Sequence, residues 1–168
     1  MVDDIAAMIP KELWPEFVLP FWEKYFDSLT SGARYPHVED LREEQLPFLE
    51  QIGLADYDPS ISPLLNPRII FRACRVPFSW RLCGFHFAGR DLQDIADFVY
   101  LSVADGASSV FGGLEGLRCD QAVAGKLNAF IAAGKEAKRL FDSGASREEI
   151  GQLASAKGRH DFWERWKK

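Results

Sequence analysis

Sulfur is scarce in this chain, and so are histidines and long apolar runs. Three cysteines, Cys74, Cys83 and Cys119, stand far apart along 168 residues. An odd, unpaired set excludes a disulfide framework and reads as reduced thiols or metal ligands. No apolar stretch approaches the length that crosses a bilayer. No basic stripe interleaved with aromatics occurs: the formal charge is −5, and the basic cluster Arg165, Lys167 and Lys168 is confined to the end. Nucleic-acid binding is excluded on these grounds. The opening MVDDIAAMIP carries two acids where a signal peptide carries bases, so a cytoplasmic protein without membrane contact is expected. Internal repeats, low-complexity segments and linkers are lacking too.

Against these absences, 47% of the residues are hydrophobic and 27% charged, the balance of an ordered globular chain of single-domain size. Leu13, Phe17, Phe21 and Tyr25, with Val18, Trp22, Phe26 and Leu29 beside them, recur at helical spacing from about Lys11 to Leu29. Pro15 fits the first turn of this helix, whereas Pro20 falls inside the pattern and is expected to kink it. A rhythm of short apolar segments and helices follows. The segments are Arg34 to Val38, Leu54 to Tyr57, Val76 to Leu82, and Ser108 to Phe111. The helices are Glu43 to Gln51, Asn66-Pro67 through Cys74, Asp91 to Val103, and Asp120 to Phe141. Residues 146–168 form a helical, aromatic tail in which Phe162, Trp163 and Trp166 share a face.

Four strands alternating with helices predict an α/β fold with parallel strands flanked by helices. A closed β/α barrel needs eight strands, so the chain is expected to be half of such a barrel. It would be completed by a homodimer or by a complementary half-barrel chain, because an open sheet leaves two unpaired edges. The alternative is a small open sheet in a monomer.

Chemistry in such folds collects at the C-terminal ends of the strands. Those ends carry His37, Glu39 and Asp40, then Asp56 and Asp58, then Trp80, Arg81, Cys83 and His86, then Glu115, Arg118 and Cys119. In an extended segment His37 and Glu39 point to the same side, so an imidazole and a carboxylate can meet one ion. Zinc takes both, with a third ligand from Cys119, Cys83 or Glu115. The competing reading is a strand-end histidine beside a solvated acidic loop. Cys83 and His86 admit a nucleophile–base pair but no orienting third group; a buried thiol and a loop histidine are the simpler reading. The GGLEG run lacks the lysine and hydroxyl residue of a phosphate loop, so Gly112, Gly113 and Gly116 are expected to shape a tight turn.

The runs LWPEFVLPFWEKYFDSL, YPHVEDLREEQLPFLEQIGLADYDP and GGLEGLRCDQAVAGKLNAFIAAGKEA resemble the later part of uroporphyrinogen decarboxylase-like proteins. That superfamily comprises the heme-pathway decarboxylases and the corrinoid-dependent methyltransferases, all on a (β/α)8 TIM barrel. The resemblance spans roughly residues 8–140, the second half of the family's barrel, and implies a zinc-dependent methyltransferase or a component of one. It places His37 at the family's ligating histidine, Glu39 at the first cysteine, and Cys119 or Glu115 at the later one. Asp56, Trp80, Arg81, His86 and Glu115 are the implied substrate-binding residues, with Arg81 pairing a carboxylate of a small-molecule substrate. No corrinoid-binding D-x-H-x-x-G motif is present, so a corrinoid would arrive on a partner protein. The arginines and aspartate that hold porphyrinogens lie in the half not represented here, so porphyrinogen decarboxylation is not expected. The alternative function is a non-catalytic half-barrel subunit or partner-binding module.

Overall fold

A computed structural model describes every residue except Ile61, Cys119, Lys167 and Lys168. The chain divides into two compact units, Met1–Trp80 and Arg81–Lys168.

In the first unit the apolar periodicity of residues 11–29 does produce helix. A 3-10 turn, Lys11–Leu13, leads into α1 (Trp14–Phe17) and then α2 (Leu19–Leu29). The chain bends at Val18, two residues before Pro20. That proline occupies the first turn of α2, where its missing N–H costs nothing. Two apolar stripes run along this helix pair, and the unit buries the one formed by Trp14, Val18, Trp22 and Phe26. Trp14 anchors it, edge-on to Trp22 with centroids 5.6 Å apart and stacked on Phe48 at 5.5 Å. Leu41, Leu46, Leu49, Ile70 and Phe78 complete this core. Pro47 interrupts the ladder of Glu43–Ile52, which winds as a 3-10 helix and stops at Gly53 in the left-handed region, φ 67°. Asn66 caps α3 (Pro67–Ala73) by accepting the Ile69 N–H at 3.0 Å.

The second unit is organised around α5 (Leu92–Ala104), which follows the short α4 (Gly84–Gly89). Packed on α5 are α6 (Gln121–Asp142), α7 (Arg147–Gly151) and α8 (Ala156–Arg159). The helix starts are marked in the sequence: Asp91, Asp120 and Ser146 accept backbone N–H groups of α5, α6 and α7. The tail ends in α9 (Phe162–Trp166), whose Trp166 stacks at 4.9 Å on Phe98 of α5. Trp163 donates its indole N–H to Asp105 at 2.7 Å.

The predicted half of a (β/α)8 barrel is not formed. Among the described residues the only sheet is two-stranded, pairing β1 (Ser79–Leu82) with β2 (Ser109–Gly112), and helices dominate the chain. Arg34 to Val38 and Leu54 to Tyr57 do not become strands. They meet their neighbours through isolated parallel bridges, Val2 with His37, His37 with Asp58, and Tyr57 with Phe78. Proline accounts for much of this. Pro36, Pro59 and Pro77 each remove a ladder donor within or beside a segment of only a few residues. Pro36 and Pro77 act only as acceptors, of the Asp58 and Tyr57 N–H groups.

Candidate functional site

The isolated bridges of the first unit bring its polar residues together. His37 is held from both sides by backbone: its N–H donates to the Met1 carbonyl at 2.8 Å and its carbonyl accepts from Asp3 at 3.1 Å. On the next segment Asp58 donates its N–H to Pro36, and its carbonyl accepts from Val38. This register sets the imidazole against the Asp58 carboxylate, with Nδ1 2.8 Å from Oδ2. A carboxylate only accepts, so Nδ1 carries the proton and, in the neutral ring, Nε2 is left as an acceptor.

Glu39 stands on the other side of the ring. The two-residue spacing turns its carboxylate toward His37, and Oε1 lies 3.6 Å from Nε2. His37 and Asp58 are each about one-fifth exposed, Glu39 somewhat under half. The imidazole therefore sits between two carboxylates, one fixing its tautomer and the other facing its free nitrogen.

Surrounding contacts lock this arrangement. Asp58 Oδ1 accepts the Ser60 N–H at 2.8 Å, and Ser60 adopts a left-handed backbone at φ 53°. Asp40, at φ 58°, follows Glu39, whose own N–H is bound by Asp4 at 3.0 Å. Tyr57, fully buried between the acidic residues in sequence, donates its hydroxyl to the Val38 carbonyl at 3.0 Å. Burial, then the neighbouring Asp58 charge, raises its phenol well above the ordinary range. Asp56 accepts from the Ser79 hydroxyl at 2.5 Å. Burial pushes its carboxyl up, the Ser79 bond opposes this, and Asp58 adds to it. Beside Glu39 opens a cleft of ≈ 420 Å³ lined by Asp4, Ala7, Met8, Glu39, Asp40, Arg42, Pro63 and Leu64. Nothing in the sequence pattern marks Asp4 or Leu64 as part of it; the bridge between Val2 and His37 delivers the N-terminal segment to the site.

The remaining expected site residues lie elsewhere. Trp80 is buried, and Arg81 stacks its guanidinium on Phe111 at 5.0 Å. His86 is buried in the second unit and accepts the Cys83 N–H on Nδ1 at 3.2 Å. The Cys83–His86 pair is thus the start of α4, not a nucleophile and its base. Phe85 and Trp166 flank that ring at 4.1 and 4.8 Å. Burial, then the nearby Arg90 charge, lowers the His86 pKa to about 4. Glu115 is exposed on the turn after β2, where Gly116 takes φ 74°. A second cavity of ≈ 390 Å³ in this unit, between α5, β2 and α6, is lined largely by apolar side chains with Lys138, Asp142 and Arg147 at its edge.

No known protein-family model matches the chain, and no curated protein does. The resemblance to uroporphyrinogen decarboxylase-like proteins is corrected accordingly: its short motifs sit on a mostly helical chain without a barrel. The TIM-barrel methyltransferase reading falls with it. Among the described residues no group of three or more His, Cys, Asp and Glu is arranged to hold a metal. His37 and Glu39 come together as expected of two ligands, but the third, Cys119, lies outside the described residues. No helix among the described residues is long and apolar enough to cross a membrane.

Proposed function

We propose that the first unit is a small-molecule binding module whose ligand carries an amine, held between His37 and Glu39, and an apolar body seated in the adjoining cleft. The observation that carries this reading is the approach of His37 Nε2 to Glu39 Oε1, 3.6 Å apart, which in the neutral ring sets two acceptors face to face. An ammonium group has donors enough to satisfy both, and Asp4 and Asp40 add negative charge nearby. Ala7, Met8, Pro63 and Leu64 offer the apolar wall that a small-molecule site combines with a few placed polar groups.

Asp58 supports the reading by fixing the tautomer that presents Nε2 as an acceptor. The test is calorimetric titration with n-butylammonium, and with butyrate as the oppositely charged control. Saturable binding of the ammonium alone, weakened about tenfold by Glu39→Gln through loss of a charge-assisted hydrogen bond, is the expected result. Equal binding of both probes, or indifference to Glu39→Gln, refutes it.

A further inference from the structure

The cavity of the second unit, ≈ 390 Å³ between α5, β2 and α6, falls within the usual size range of small-molecule sites, about 300–1,000 Å³. It shares no residue with the cleft beside Glu39. Val99 and Ala137 on its wall are buried, whereas Lys138, Phe141 and Asp142 are exposed. The cavity therefore runs from an apolar floor to a charged mouth.

Packing alone does not account for this space. Gly134 lines it from the interior of α6, where glycine weakens a helix relative to alanine. Its φ lies outside the left-handed region, and a Cβ added there would meet no atom within 4 Å. Neither backbone nor neighbour demands the glycine. Gly151, by contrast, is pressed by the Ala104 Cβ at 3.0 Å. What the missing side chain at Gly134 provides is room on the cavity wall.

The mouth selects the charge of an occupant. Its charged lining residues are Lys138, Asp142 and Arg147, one positive charge in excess on a chain whose formal charge is −5. Lys138 and Asp142 pair with each other at 2.6 Å, so the excess resides on Arg147. Its Nη1 donates to the Val103 and Ala107 carbonyls, and its guanidinium lies 5.7 Å from the centroid of the Phe141 ring. These three partners orient the guanidinium without neutralising it. Partial burial lowers the Arg147 pKa, as expected of a cation that has given up hydration and that an anion alongside would stabilise.

We propose that this cavity binds a small amphipathic carboxylate, its apolar chain lying on Val99, Val103 and Ala137 and its carboxylate at Arg147, with Lys138 beside it. Gly134 leaves the width that the chain occupies.

The test is titration of the full chain with octanoate, with butyrate and n-octylammonium as controls, followed by amide shifts in 15N-labelled protein. Octanoate should give saturable shifts in residues 99–110 and 134–147, with a Kd on the order of 0.1 mM. Each buried methylene strengthens binding roughly fourfold, so butyrate, shorter by four, should bind about 200-fold more weakly. n-Octylammonium should bind this cavity at least tenfold more weakly than octanoate, whatever it does at His37. Gly134→Leu fills the space and should abolish the octanoate shifts while circular dichroism shows the helices intact. Arg147→Gln should weaken octanoate about tenfold through loss of a charge-assisted contact. Lys138→Glu, at an exposed position, should do the same, and keeps the test decisive if loss of Arg147 disturbs folding. Equal binding of octanoate and n-octylammonium in these residues overturns the proposal, as does an octanoate affinity indifferent to Gly134→Leu or to both charge variants. So does an absence of saturable octanoate shifts in these residues, which would mark the cavity as a packing defect.

Discussion

His37 and Asp58 are joined twice over: their backbones meet in a parallel bridge, and Nδ1 of the one lies 2.8 Å from Oδ2 of the other. The same carboxylate's Oδ1 holds the Ser60 N–H at 2.8 Å. Asp58→Ala strips partners from both groups, and each partly buried donor left unpaired costs about 1–3 kcal/mol. We expect the first unit to lose about 2–3 kcal/mol in urea denaturation, with Asp58→Asn losing less because its side-chain oxygen still accepts.

Tyr57→Phe isolates a different link. The hydroxyl donates to the Val38 carbonyl from a fully buried ring, so its removal leaves an unpaired buried acceptor without changing the ring packing. A loss of about 1–2 kcal/mol in the denaturation midpoint is expected. His37 and Glu39 should keep their positions, as checked by unchanged butylammonium affinity.

His86 makes the second unit sensitive to acid. Its pKa falls from 6.5 to about 4 in the fold, so the unfolded chain takes up a proton first as pH drops. The stabilisation is fully present above pH 6.5, is lost progressively as pH falls toward 4, and changes no further below that. Its full size is up to about 3 kcal/mol. Protonation also removes the Nδ1 lone pair that accepts the Cys83 N–H. Stability measured across this window should rise with pH in the native chain and rise less steeply in His86→Gln.

Asp97 is the keystone of the tail. Fully buried on α5, it accepts from the Ser155 N–H at 2.8 Å and the Ser155 hydroxyl at 2.5 Å, and from Gln93 at 2.8 Å. Asp97→Ala is expected to cost about 3 kcal/mol, the scale of a broken buried network. It should raise hydrogen exchange in residues 155–166 more than in α6. Gly158→Ala should act in the same direction, since a Cβ there would lie 2.1 Å from the Asp97 carboxylate.

The sequence pattern discloses local elements more readily than their assembly. Pro67 and Asn66 mark the start of α3, and Asp91 and Asp120 mark α5 and α6, because capping chemistry is encoded in adjacent residues. The strands were legible in part: Val76 to Leu82 contains β1 and Ser108 to Phe111 overlaps β2, whereas the two earlier segments form no strand. Apolar runs such as Arg34 to Val38 and Leu54 to Tyr57 have strand composition, but pairing depends on donors that Pro36, Pro59 and Pro77 withhold. Periodicity also cannot choose between the two stripes of α1–α2. Both repeat every four residues, and only packing decides that Trp14 and Trp22 go inside while Phe17 and Phe21 remain in water. For the site, the two-residue spacing of His37 and Glu39 predicts their meeting, whereas the Asp58 partnership arises from register between segments 21 residues apart.

The central claim is that Asp58 fixes His37 so that Nε2 and Glu39 jointly receive an ammonium ligand. Long-range 1H–15N spectra of the His37 imidazole, recorded during titration with n-butylammonium, test it most directly. The account predicts a proton on Nδ1, an unprotonated Nε2 and a saturable change in the Nε2 shift that Glu39→Gln diminishes. A ring that averages between its two tautomers, or an Nε2 resonance unmoved at saturating ligand, contradicts it.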